Sequence, residues 1–354
     1  MKRKFLLFTA IISSLLFISC RSLRVIDVET YNPSPITFSP EVKTVMIVNN
    51  SAQQPDKIGH RYSNDVKNDS VFSVSSDSTA YYFCRALGKS ILESSIFNDV
   101  RLCEDTLRTD SLFYNVKPFS ASEVIEMCDD YLVDGIISLD KLFFSTVYQE
   151  YKTSRFDALS VILKIQVSGE VRVFWPGQKE AFVVPFIDSL SWYEESDLYY
   201  EIIEAIQKSE FSDVLLYLSE YTGKNMRVNF VPFWVQEKRW YYTAITSQWK
   251  LGTSYAAAEK WGQAAEVWEP LFAKANKWKQ KARLASNLAV CYEMTGDFEK
   301  AVEYAKKSHS ILKENDIEDS SYTTIQDRYV EILKKRIDSD KILTKQLNKS
   351  DAFE

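Results

Sequence analysis

Residues 251–271 read LGTSYAAAEKWGQAAEVWEPL, and residues 288–308 read LAVCYEMTGDFEKAVEYAKKS. Set 37 residues apart, the two stretches superpose: Leu251, Gly252 and Tyr255 fall on Leu288, Ala289 and Tyr292. Trp261, Ala264, Trp268 and Leu271 then fall on Phe298, Ala301, Ala305 and Ser308. Each stretch is two helical patterns joined by a short turn, with apolar residues at three- and four-residue intervals. The small residues at Gly252/Ala289 and Ala264/Ala301 let paired helices approach closely, and Gly296-Asp297 marks a turn. Two such units cannot bury their faces alone. The pattern therefore predicts a preceding helix over 236–247 and a closing helix over 322–337.

The spacing resembles the tetratricopeptide repeat. That resemblance implies a groove for an extended peptide, lined by the first helix of each unit, and its candidate residues are Trp249, Lys250, Arg283 and Asn287. Arg283 and Asn287 lie one helical turn apart and can point at one spot. Such a pair resembles the part of some of these arrays that grips a peptide's C-terminal carboxylate through charge-assisted hydrogen bonds. The competing reading makes Asn287 a packing residue and Arg283 a solvated charge. Six of the eight tryptophans fall between Trp234 and Trp278; Trp261 and Trp268 occupy packing positions, which leaves Trp249 as the surface candidate.

Toward the N-terminus the period changes. Val42–Val48 reads as a strand, residues 49–79 as a long polar loop, and Thr79–Phe97 as a helix. A short strand at Asp99–Leu102, a helix over Ser122–Leu132 capped by Ser120 or Ser122, and a strand at Gly135–Phe144 follow. Leu159–Trp175 alternates strongly, and Pro176-Gly177 turns it into a hairpin with Ala181–Pro185. Ile187–Tyr193 reads as further strand, Leu198–Tyr221 as a helix and Met226–Trp234 as a strand-like connector. The expected architecture is an α+β domain over 41–232, with a mixed, largely antiparallel sheet and packed helices. An all-α tetratricopeptide-like array over 233–340 and a polar tail over 341–354 complete it.

The order of the first domain resembles the small α/β domains of periplasmic lipoproteins such as the curli-secretion lipoprotein, and implies nothing functional. The Pro232–Trp234 junction, with Trp261, Ala264, Ala265, Trp268, Arg283, Asn287, Ala289, Glu293, Gly296 and Ala301, resembles an uncharacterised family of exported bacterial lipoproteins. That family lends architecture but no activity.

The first residues bear on the compartment. Lys2, Arg3 and Lys4 precede the apolar run Phe5–Ile18, too short for a comfortable membrane span, and Phe17-Ile18-Ser19-Cys20 resembles a lipobox. Residues 1–19 are expected to be a signal peptide, Cys20 the lipidated anchor, and residues 20–40 an extended tether rich in proline. No acidic run follows the cysteine. The expected place is therefore the cell envelope, at the outer membrane facing the periplasm, with surface exposure left open. Taking the three positive charges of the leader from the formal −6 leaves −9. That balance argues against a nucleic-acid partner, which needs a clustered basic face.

No catalytic or metal constellation stands out. The histidines are His60 and His309 alone, and Cys84, Cys103, Cys128 and Cys291 form no CxxC pair, so neither metal nor cofactor is expected. The neighbours Asp129-Asp130 and Glu194-Glu195 do not by themselves face each other across a cleft, as glycoside hydrolysis requires. Five Asp-Ser/Thr triplets, centred on Ser70, Ser78, Thr106, Ser111 and Ser189 and closed by an apolar residue or, after Ser78, by Thr79, resemble the Asp-Ser/Thr-apolar acceptor motif of a bacterial O-glycosylation system. The expected protein is a non-catalytic, membrane-anchored scaffold that binds a protein or peptide through its repeats. The alternatives are an envelope glycan hydrolase with accessory repeats, or a structural subunit of a secretion or surface assembly.

Overall fold

The structure, a computed structural model, describes residues 23–63, 69–105, 107–108, 112–153, 158–195, 210–315 and 321–347. In chain order its elements are β1 (Leu23–Asn32), β2 (Thr44–Asn49), β3 (His60–Ser63), β4 (Asp69–Val71), α1 (Thr79–Leu92) and β5 (Asp99–Leu102). They continue with α2 (Ala121–Tyr131), β6 (Gly135–Thr153), β7 (Ala158–Phe174), β8 (Phe182–Glu195), α3 (Glu210–Met226) and a 3-10 turn at Arg227–Asn229. The remainder is β9 (Phe233–Tyr242), α4 (Ser247–Ala257), α5 (Trp261–Lys274), α6 (Trp278–Met294), α7 (Phe298–Asn315) and α8 (Ser321–Leu347). Two compact units result, one of Met1–Asn32 with Trp234–Thr344 and one of Pro33–Phe233 with Lys345–Glu354. An α+β domain is thus followed by a helical array.

In the sheet unit, β2 is the hub. Its residues Val45, Met46, Ile47 and Val48 are all buried, as a strand covered on both faces requires. β2 runs parallel to β5 on one side and to the start of β6 on the other, with Thr44 opposite Asp99 and Val45 opposite Gly135. Further along, β6 pairs in parallel with β3, which pairs antiparallel with β4. On its other edge β6 forms a long antiparallel meander with β7 and β8. The sheet is mixed, and the long antiparallel pairings carry most of its length.

Val45 and Ile47 pack with Phe83, Leu87 and Ile91 of α1 and Leu215 and Leu218 of α3. Met46 and Val48 face the opposite layer, with Val124 and Cys128 of α2. Helices α1 and α3 approach so closely at Gly223 that a Cβ there would run into the Phe83 carbonyl. A capping box starts α2: Ser120 N–H donates to Glu123 Oε2 at 2.7 Å, and Glu123 N–H returns to Ser120 Oγ at 3.4 Å. The four cysteines outside the N-terminal segment are buried free thiols.

In the array unit, β1 and β9 form a two-stranded ribbon. It runs antiparallel, since Thr30 Oγ1 donates to Val235 O, the Tyr31 ring lies 4.8 Å from that of Trp234 and Arg24 lies over Tyr241. Short connections join α4 to α5 and α5 to α6, as antiparallel neighbours require. The small repeat positions Gly252, Ala264, Ala289 and Ala301 are all buried. Gly252 sits against the Trp268 indole, where a Cβ would collide. Tyr292 stacks on Tyr304 with ring centroids 5.5 Å apart.

Several expectations are corrected. The helix foreseen over 236–247 is strand β9, because residues 233–242 alternate in burial and β1, two hundred residues upstream, supplies a partner. For the same reason the tether over 20–40 is not a bare spacer where described: residues 23–32 form β1, and Ser34, Ile36 and Phe38 are buried. Part of the loop over 49–79 pairs as β3 and β4. Helix α1 stops at Leu92, short of Phe97, while Met226 ends a helix rather than opening a strand. The helix foreseen over 198–221 is described from Glu210, its earlier residues lying outside the described residues. The tail over 341–354 is helical through Leu347.

Candidate functional site

The candidate site grows from the way β9 lies along α6 within the array unit. Arg239 of β9 points inward and meets Glu293: its Nε donates to Oε2 at 2.8 Å and its Nη2 to Oε1 at 2.7 Å. Tyr329 OH of α8 donates to the same Oε2 at 2.6 Å. Both charged side chains are buried, 2% and 1% exposed. Burial alone would lower the guanidinium pKa, but the hydrogen bonds and charge of Glu293 reverse that and raise it. Burial, then the charge of Glu293, pushes the Tyr329 phenol well above its usual range. Arg239 Nη2 also donates to Glu237 Oε2 at 2.6 Å, so the seam reaches the surface only through that partly exposed carboxylate.

Three residues later the seam changes character. Asn287 holds the Tyr242 main chain from both sides, accepting from its N–H at 2.6 Å and donating to its carbonyl at 2.8 Å. Trp249 Nε1 donates to that carbonyl too, at 2.8 Å. With its backbone clamped, Tyr242 presents its ring to Arg283, whose guanidinium lies 5.4 Å from the centroid, and to the ring of Tyr322 at 6.4 Å. Burial and the neighbouring Tyr322 push the Tyr242 phenol up to about 12, against the opposing charge of Arg283.

Around these groups opens a cavity of about 280 Å³, lined by Tyr242, Trp278, Lys279, Ala282, Arg283, Ser308, Leu312 and Tyr322. Its walls carry three aromatic rings and two cations and no carboxylate. Lys279 lies over the Trp278 ring at 5.1 Å, and among the described residues neither Lys279 nor Arg283 has an ion-pair partner. Chemically the cavity suits an anionic group carried beside an apolar one.

Of the four expected groove residues, only Arg283 lines this cavity. Trp249, expected at the surface, is 3% exposed, and Asn287 is fully buried; both are spent on holding Tyr242 in place. Lys250 is exposed on α4 and does not line the cavity. Trp278, Lys279, Tyr242 and Tyr322 were not among the expected residues. The run Lys277-Trp278-Lys279 was a visible signal, but Tyr242 arrives on a strand and Tyr322 on a helix 80 residues on.

Elsewhere, Ser78 is exposed at the N-cap of α1 with a left-handed φ of 64°, and Ser189 is exposed on β8. Ser70 pairs opposite Tyr62 in β4, while Thr106, Ser111 and Cys20 lie outside the described residues. In the sheet unit the carboxylate of Asp140, 1% exposed, meets Arg172 Nη1 at 2.5 Å, Ser138 Oγ at 2.5 Å and Asn50 Nδ2 at 3.1 Å. It is paired with a cation rather than facing a second carboxylate. Among the described residues no group of three His, Cys, Asp or Glu side chains could hold a metal, and no helix is long and apolar enough to cross a membrane.

Comparison with known proteins places these units. Residues 250–335 match the model of a domain of unknown function, DUF6340. No curated protein matches the chain. Among solved structures, a crystal structure of a minor lipoprotein from Acinetobacter baumannii is 13% identical over 54% of this chain and 95% of that one, with a TM-score of 0.25. A crystal structure of an uncharacterised protein is 12% identical over 52% of this chain and 91% of that one, with a TM-score of 0.23. Likenesses this distant carry nothing to the present site. Residues 42–242, more than half of the chain, match the model of a domain of unknown function, DUF8603, and the protein belongs to that family.

Proposed function

We propose that the protein is a non-catalytic scaffold of the cell envelope, lipid-anchored through Cys20, that holds a protein partner through its tetratricopeptide-like array. The observation that carries the binding part is the cavity beside Tyr242. It offers two cations without an ion-pair partner among the described residues, set among three aromatic rings, on a helical array whose small repeat positions are all buried. The residue type it suits is a carboxylate next to a large apolar side chain, as at the C-terminus of a peptide ending in Leu or Phe. The leader pattern and lipobox likeness support the anchor, and the outer membrane is the expected address.

The test measures binding of peptides with free or amidated apolar C-termini to wild type and Arg283→Ala. Binding that requires the free carboxylate and falls by about ten- to a hundredfold in the variant supports the reading. Equal binding of both peptide forms, or no loss on removing Arg283, sinks the site. Asn287→Ala is the wrong probe, because it would free the Tyr242 main chain rather than a ligand.

A further inference from the structure

Residues 274–283 read KANKWKQKAR, five positive side chains with no carboxylate, in a chain whose formal charge is −6. They span the end of α5, the following turn and the first turns of α6. Lys274, Lys277 and Lys279 are exposed, and Lys281 and Arg283 are half-buried. None of the five has an ion-pair partner among the described residues. Lys281 lies over the Phe272 ring at 5.5 Å, much as Lys279 lies over Trp278. A local excess of this kind in an acidic chain calls for an anionic neighbour.

The topology says which neighbour is within reach. β9 runs antiparallel along α6, from Arg239 at Glu293 to Tyr242 at Asn287 and Arg283. β1 runs antiparallel to β9, so its first residue, Leu23, lies at the basic end of α6. Cys20 is three residues before Leu23, a reach of about 10 Å even when fully extended. Just past β9, Ile245 is 80% exposed at this same end. A lipid on Cys20 would hold this end, and no other part of the array, against the bilayer.

We propose that the anchor-proximal end of the array lies on the membrane surface, with Lys274, Lys277 and Lys281 on anionic lipid phosphates and Ile245 in the interface. Lysine stems reach along an apolar surface while their ammonium groups stay at the phosphates. Each such cation near an anionic surface strengthens binding by about fivefold. The inference rests on the lipid-anchor part of the proposed function and not on its peptide part. Its consequence is that the cavity at Tyr242 lies close to the lipid surface.

The test sediments a chain of residues 21–354, which keeps every described residue, with vesicles of phosphatidylcholine alone or mixed equally with phosphatidylglycerol. The probe variant is Lys274→Glu/Lys277→Glu/Lys281→Glu, none of which lines the cavity. A control of equal charge is Lys238→Glu/Lys260→Glu/Lys306→Glu, and Ile245→Ser keeps all charge. Matching melting curves establish that each variant is folded. Binding to the mixed vesicles only, weakened about a hundredfold by the probe, a few-fold by Ile245→Ser and little by the control, is the expected result. No binding to the mixed vesicles, or equal losses with probe and control, overturns the proposal. So does a patch that binds an acidic peptide and no vesicle. Palmitate labelling of wild type and Cys20→Ser tests the anchor by itself, so its failure and that of the surface are told apart.

Discussion

Arg239–Glu293 in the array unit and Arg172–Asp140 in the sheet unit are both arginine–carboxylate pairs under cover, and they are finished differently. Glu293 uses both oxygens on Arg239 and adds Tyr329, so one carboxylate ties β9, α6 and α8 together with neither partner exposed beyond 2%. Asp140 sits at a register shift between Leu139 and Lys141, where the bulge turns it toward Ser138, Asn50 and Arg172. Each arginine has a second carboxylate, Glu237 for Arg239 and Glu170 for Arg172, but Arg172 keeps 15% of its side-chain surface in water against 2% for Arg239. A closed pair makes a seam that must be complete to exist. A pair with one open end leaves its cation a route to solvent if the carboxylate is lost.

The largest effect that could break this contrast is Glu293→Ala, which leaves the buried Arg239 with Glu237 as its remaining carboxylate and takes the acceptor from the buried Tyr329. Urea unfolding should show a loss of about 3–5 kcal/mol. A loss below about 1 kcal/mol would mean the seam is ornamental to the array. Asp140→Ala should lose less, about 1–3 kcal/mol, because Arg172 already reaches water where Arg239 does not, while Asn50 and Ser138 lose an acceptor. Equal losses from the two variants would remove the distinction between closed and open pairs.

The smallest effect sharpens the picture of the sheet unit. His60 is fully buried between strands, its Nδ1 2.9 Å from Thr146 Oγ1 and its Nε2 without a partner among the described residues. Burial lowers its pKa from the ordinary 6.5 to about 4, with Asp56 opposing. The unfolded chain therefore takes up this proton first as pH falls, and stability is lost between pH 6.5 and 4 while staying flat above that window with respect to this group. Near pH 5.5 the loss should be about 1 kcal/mol, and His60→Gln should lack it. An identical pH slope in wild type and variant would contradict the buried, neutral imidazole.

How much of this was legible beforehand differs between the two kinds of element. Asp99–Leu102 was legible to the residue, and the hairpin at Pro176-Gly177 to its turn, because turn chemistry and period-two alternation are local. The small-residue spacing of the repeat marked Gly252, Ala264, Ala289 and Ala301 as packing positions, and all four are buried. Strand β9 was not legible, because FWVQEKRWYY needs β1 as a partner and the two are far apart in sequence. The surroundings of the cavity were illegible in the same way. The resemblance offered Asn287 and Trp249 as groove residues with packing as the competing reading for Asn287, and the main chain that both of them hold belongs to that unforeseen strand.

By itself, then, the amino-acid sequence determined an α+β unit followed by a helical array, since hydrophobic period, caps and turns act over a few residues. It also determined the basic run at 274–283 and the cavity's Arg283, as residues. Tertiary structure alone decided that Asn287, Trp249 and Tyr242 meet, that Glu293 closes on Arg239, and that Leu23 lies by the basic end of α6. Those outcomes depend on backbone polar groups finding partners from distant segments, and a buried N–H or carbonyl left unpaired costs too much for the chain to leave it so.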